Sequence, residues 1–134
     1  MLRRRIMIFV MVVAFSQVGY AQAPDKPLRL TEKDSEKPIS VKVGDTIEVV
    51  LKENPTTGFL WVVDTLDKAF LEQTGEKEYK PDSDAIGAGG IMTMRFRAIA
   101  SGQTKFKLIY HRGGEKGNRA AKTFKTTITI EPKT

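Results

Sequence analysis

The sequence predicts an all-β fold, an immunoglobulin-like β-sandwich of about seven strands. Three observations lead there. Apolar residues recur at every second position along several segments, turn-forming residues separate those segments, and no long stretch carries convincing helical spacing. Residues 22–37 are polar and broken by Pro24 and Pro27, with Pro38 just beyond, so they admit one edge strand at most, around Leu28 and Leu30. Ile39, Val41 and Val43 then alternate with polar partners, Gly44-Asp45 turns the chain, and Ile47, Val49 and Leu51 resume the alternation. After a loop from Asn54 to Phe59 come the strand formers Leu60-Trp61-Val62-Val63. Residues 64–84 are the least regular. Leu66 and Phe70 have helical spacing, but Gly75 soon follows, and one strand is expected around Leu71 to Tyr79. Ile86 to Gly90 reads as a flexible loop. Met92, Met94, Phe96 and Ala98 give the clearest alternation, Ser101-Gly102 turns it, and Phe106, Leu108 and Tyr110 continue it on the return. A glycine-rich basic tip, residues 111–121, precedes a last strand carrying Phe124, Thr126, Ile128 and Ile130. Trp61, Phe96, Phe106 and Phe124 are the expected large core residues.

The N-terminus is of a different kind. Arg3, Arg4 and Arg5 precede ten apolar residues, Ile6 to Phe15, and then small and polar residues, the layout of a secretory signal peptide. Ten residues fall short of the ~18 needed to span a bilayer, so export to a periplasm or the medium is expected, without stable membrane insertion. Cleavage after Ala21 fits best, because cleavage after Ala23 would leave Pro24 in the next position. Residues 22–134 would then form a single domain, expected to be monomeric. Loss of the three arginines leaves 19 Lys and Arg against 16 Asp and Glu, a balance of +3 with no block of like charge. Nucleic acid is therefore not an expected partner.

The chain has no cysteine. Burial and sheet hydrogen bonds alone must hold it together, and a thiol nucleophile, a thiolate metal site and a lipid-anchored cysteine are excluded. N-glycosylation is excluded too, since the only Asn-x-Thr, Asn54-Pro55-Thr56, has proline in the middle. The single histidine, His111, falls in the basic tip without a second histidine or a neighbouring carboxylate, so neither a metal shell nor a catalytic triad takes shape. Asp82 and Asp84 sit among turn residues, and Gly87-Ala88-Gly89-Gly90 does not open a helix as a phosphate loop would. Neither an enzyme nor a cofactor is expected.

The loop Asn54-Pro55-Thr56-Thr57-Gly58-Phe59 is more restrictive. Asn54 precedes proline and is held extended, with a side chain able to bond backbone one or two residues ahead. Pro55 fixes φ, and Gly58 supplies the turn that returns the chain to the strand. Thr56 and Thr57 are expected at the tip with stiff χ1 angles and free hydroxyls. Such a tip loses little entropy on docking into a narrow cleft, although an Asn-Pro turn followed by glycine is also an ordinary tight connection.

Asn-Pro-Thr-Thr-Gly-Phe-x-Trp, here Asn54 to Trp61, resembles the first inhibitory loop of the chagasin-like inhibitors of cysteine peptidases. The Gly-x-Gly-Gly of that family is matched by Gly87-Ala88-Gly89-Gly90, and its Tyr-x-Arg-Pro-aromatic by Tyr110-His111-Arg112, followed here by Gly113-Gly114. The resemblance runs over roughly residues 38–130. It implies a sandwich with three binding loops at one end, residues 54–59, 87–90 and 110–114, entering the active-site cleft of a papain-like enzyme as a reversible, non-covalent wedge. Thr56 would lie against the catalytic cysteine and histidine, Thr57 and Gly58 would add backbone contacts, and Gly87 to Gly90 would lie along the cleft. The alternative is an exported immunoglobulin-like module for a cell-surface protein or glycan, with the loops reused. Two glycines in place of proline and an aromatic remove a rigid apolar anchor, commonly worth ~2 kcal/mol or more at an interface. Grafting proline and tryptophan at positions 113 and 114 should lower the inhibition constant; no change, or weaker inhibition, would count against docking by this loop.

Overall fold

The computed structural model describes residues 26–113 and 120–133. The expected signal peptide, residues 1–21, and Gly114 of the third loop lie outside them. The described residues form nine strands and two short 3-10 turns, Glu32–Asp34 and Pro55–Thr57, arranged as two sheets. In chain order the strands are β1 (Leu28–Leu30), β2 (Ile39–Lys42), β3 (Thr46–Glu53), β4 (Phe59–Leu66), β5 (Leu71–Gln73), β6 (Glu78–Pro81), β7 (Gly90–Ala98), β8 (Gly102–Arg112) and β9 (Lys122–Glu131). One sheet has the order β1-β3-β7-β5, with β6 also on β7; the other has the order β2-β9-β8-β4. β1 runs parallel to β3 and β2 parallel to β9, while the other pairs are antiparallel.

The period of two places the core. Ile47, Val49 and Leu51 of β3 and Met92, Met94, Phe96 and Ala98 of β7 face Phe106 and Leu108 of β8 and Phe124, Ile128 and Ile130 of β9 in one buried cluster. Phe96 meets Phe106 edge to face at 4.8 Å between ring centroids, and Phe106 meets Phe124 in the same manner at 6.4 Å. The Phe96–Phe106 contact bridges the two sheets, and Phe124 extends it along the second. Trp61 is buried with them, as its position in a run of strand formers implies.

The expected strand from Leu71 to Tyr79 is two strands instead. β5 and β6 lie in succession along one edge of β7, pairing with its end and its beginning, and residues 74–77 break the line between them. The physical reason is Gly75, whose φ of 74° turns the chain off the ladder before it rejoins at Glu78. This interruption frees Lys77 to reach inward, with consequences described below.

Register gathers three connections at one end. The last residue of β3, Glu53, pairs with the first of β7, Gly90, which in turn faces Pro81 at the end of β6. In the other sheet Phe59, which opens β4, pairs with Arg112 at the end of β8, and Tyr110 pairs with Lys122 at the start of β9. The β3–β4, β6–β7 and β8–β9 connections therefore leave the sandwich on the same side. Phe96→Ala, which deletes the ring joining the two sheets, should lower unfolding stability by about 3–5 kcal/mol. A fall in the urea midpoint at unchanged slope would show it, whereas a midpoint shift of a few tenths of molar or less would mean that Phe96 does not bridge the sheets.

Candidate functional site

At that end the β3–β4 connection folds as its residue types require. Asn54 is extended, with φ −130° and ψ 92°, and caps the 3-10 turn Pro55–Thr57; Gly58 closes it in the left-handed region at φ 82°. The Asn54 Oδ1 accepts from the Thr56 N–H at 3.2 Å, as anticipated for a side chain that bonds backbone two residues ahead. Gly58 has a second reason to be glycine. A Cβ there would stand 3.3 Å from the Arg112 Cγ, on a backbone that other residues rarely adopt.

The threonine hydroxyls differ from expectation. They are not free. The Thr56 hydroxyl donates to the Asn54 Oδ1, and the Thr57 hydroxyl donates to the Asn54 carbonyl at 2.6 Å while accepting from the Phe59 N–H at 3.3 Å. The Thr57 hydroxyl thus bridges two backbone groups of the turn, while the Thr56 hydroxyl is taken by the side chain that caps it. The tip at Thr56, Thr57 and Gly58 is nonetheless exposed.

The second connection is bound to the first. The Asn54 Nδ2 donates to the Gly87 carbonyl at 3.2 Å, and the Gly89 carbonyl accepts from the Asp82 N–H at 3.0 Å, which closes residues 82–89 at their base. Gly87 is left-handed at φ 82°. Gly90, expected within the loop, is buried as the first residue of β7, and a Cβ on it would collide with the Lys80 carbonyl and with the Tyr79 hydroxyl and Pro81 Cα. Its smallness serves the close approach of β6 to β7. Ala88 and Gly89 are half-buried between these points, and Ile86, next to Gly87, is fully exposed.

The third element begins later than expected. His111 and Arg112 are strand residues, paired with Leu60 and Phe59, because β4 offers backbone partners as far as its first residue. Tyr110 is partly buried, and its hydroxyl accepts from the Asn54 N–H at 3.1 Å. Its ring lies 5.5 Å from that of Phe59 and 5.1 Å from that of Trp61. Arg112 stands over the Phe59 ring, 4.8 Å from its centroid, and its Nε donates to the Thr57 carbonyl at 3.2 Å. Thus Asn54 to Phe59, Gly87 to Gly90 and Tyr110 to Arg112 form one assembly, although the His111 ring bonds, among the described residues, only the carbonyl of Arg112, at 3.2 Å through Nδ1.

Two residues that sequence reasoning passed over form the root of this assembly. Glu53 occupies the inward phase of β3 after Ile47, Val49 and Leu51, and its side chain is 1% exposed. Its carboxylate accepts from the Trp61 N–H at 2.7 Å and from Lys77 Nζ at 2.6 Å. Lys77 donates in addition to the Trp61 carbonyl at 3.2 Å. A charged residue on an apolar phase was the available signal, but nothing in the sequence named its partner. Nearby, burial and then the charges of Asp82 and Glu53 push the Tyr79 phenol above its ordinary range. Among the described residues no three histidines or carboxylates gather as a metal site, and every buried side-chain polar atom has a hydrogen-bond partner.

Sequence comparison places this end of the molecule in context. Residues 40–128 match the family described as Chagasin family peptidase inhibitor. The chain belongs to the chagasin family. Amoebiasin-2 of Entamoeba histolytica is 28% identical over 102 residues, covering 75% of this chain and 83% of its relative. Chagasin of Trypanosoma cruzi is 31% identical over 88 residues, 63% of this chain and 80% of the relative. In fold, the crystal structure of the cysteine protease inhibitor EhICP2 from Entamoeba histolytica superposes with a TM-score of 0.66 at 22% identity, over 78% of this chain and 94% of that one.

Asn54→Ala removes the cap and the bond to Gly87 together. It should cost about 1 kcal/mol of stability, as helix caps do, and should raise amide exchange at Thr56 and across residues 85–89. Unchanged exchange at residues 85–89 would show that Asn54 does not hold the second loop.

Proposed function

We propose that the protein is a reversible, non-covalent inhibitor of papain-like cysteine peptidases, which it blocks by placing residues 54–59, 87–90 and 110–112 in the active-site cleft. The observation that carries this reading is the bonding of the three segments to one another at one end of a chagasin-family chain: Asn54 to Gly87, Asn54 to Tyr110 and Arg112 to Thr57. A prebuilt, convex, three-part edge loses little conformational entropy on docking. Thr56 occupies the exposed tip and would stand against the catalytic cysteine and histidine, with Thr57 and Gly58 offering backbone. The hydroxyl protons of Thr56 and Thr57 are committed within the loop, and the chain has no thiol, so obstruction accounts for the activity and no covalent step is required. Ile86, exposed beside Gly87, would add an apolar contact on the cleft wall. His111, half-buried and next along β8 from Tyr110, would meet the enzyme at the margin of the cleft. Export through residues 1–21 and action as a monomer complete the proposal.

Titration of the purified protein against papain and a cathepsin L-like enzyme tests it. Inhibition should be evident well below micromolar concentration, and its absence at micromolar concentration would sink the proposal. Thr56→Arg should weaken inhibition by about a hundredfold or more, because a long cation replaces a small residue at the tip, and Ile86→Ser by about tenfold, both with a cooperative thermal transition retained. Full inhibition by Thr56→Arg would displace Thr56 from the centre of the contact.

A further inference from the structure

Glu53 stands where the pattern of β3 calls for an apolar residue. A buried ion pair is rarely needed for stability, since well-packed apolar residues of similar volume are often as good or better. Its geometry offers a different reason. Trp61 lies on β4, the edge strand of its sheet, and both its N–H and its carbonyl face that open edge. Glu53 takes the N–H and Lys77 takes the carbonyl, while the two charges bond each other at 2.6 Å. Three stems thereby meet: the end of β3, which enters the first loop; the start of β4, which leaves it; and residue 77, which precedes β6 and the second loop. An apolar pair would fill the same volume without grasping the backbone of the opposite sheet.

We infer that Glu53 and Lys77 are positioning residues that fix the spacing of the first and second loops. Neither belongs to the exposed tip. They act on it through Asn54, next to Glu53, and through β6, next to Lys77. Asn54–Gly87 joins the two loops above and Glu53–Lys77 joins their stems below, so the loops enter a cleft as one body. With the lower tie removed, the upper bond alone would have to order both loops during docking, at an entropic cost to affinity. The effect on inhibition rests on the function proposed above, whereas the effect on loop geometry does not.

The test uses the double variant Glu53→Gln with Lys77→Met. Glutamine still accepts from the Trp61 N–H, and no carboxylate is left stranded, so the fold should survive, as a cooperative thermal transition would verify. Peptidase inhibition should weaken by about tenfold, mainly through faster dissociation. In the free protein the backbone amide resonances of Thr56, Thr57 and Gly87 should shift or broaden, which a loss of core stability alone would not produce. Lys77→Arg, which keeps the charge and the donors, should restore inhibition to within about threefold of wild type. Wild-type inhibition by the folded double variant, or unmoved amides at all three positions, overturns the assignment. Failure of the wild-type protein to inhibit would strike at the proposed function instead, and the amide spectra would still decide whether the pair positions the loops.

Discussion

The peptide unit and side chain of Asn54 carry the wedge end. Its N–H reaches Tyr110, its carbonyl receives Thr57, its Oδ1 receives Thr56 and its Nδ2 reaches Gly87. Asparagine suits all of these at once. Aspartate would cap the turn but lack the donor for Gly87, and serine would cap it without the reach. One residue therefore shapes the first loop, orients the second and rests on the third. The proline that follows holds Asn54 extended, which is what points its groups in these four directions.

Much of this was legible in the sequence because it is local. Alternation along β7 and β8 identifies strands whose inward residues do form the core, and Asn54, Pro55 and Gly58 each dictate a backbone geometry that the structure contains. What escaped is long-range. Gly75 marks the break between β5 and β6, but no local pattern records that the chain then rejoins β7 at Glu78, and the extension of β8 through His111 and Arg112 depends on the partner that β4 provides. Stiff χ1 angles at a turn tip imply presented, free hydroxyls for Thr56 and Thr57. Here the Asn54 side chain takes one hydroxyl and the backbone of the turn takes the other. Glu53 and Lys77, 24 residues apart, illustrate the same limit: an inward-phase carboxylate signals that a partner exists without naming it.

Division of labour between the two ends of the molecule follows. The middle of the sandwich is held by aromatic rings and aliphatic side chains that interlock without directional bonds. The loop end adds directional bonds to the packed rings of Phe59, Trp61 and Tyr110, and among the described residues every buried polar side-chain atom has a partner. Directional bonds specify position more sharply than dispersion contacts do, and they are what hold the three loops in fixed relation to one another.

The core that Phe96, Phe106 and Phe124 close without any cysteine has a bearing on where such a protein can work. An enzyme that depends on a thiolate keeps its activity only where that sulfur stays reduced. Conditions that preserve it would open the cross-links of many small extracellular domains. This sandwich contains no bond that a reductant can cut, so its shape is indifferent to the electron supply around it, and it would persist wherever a thiol nucleophile does.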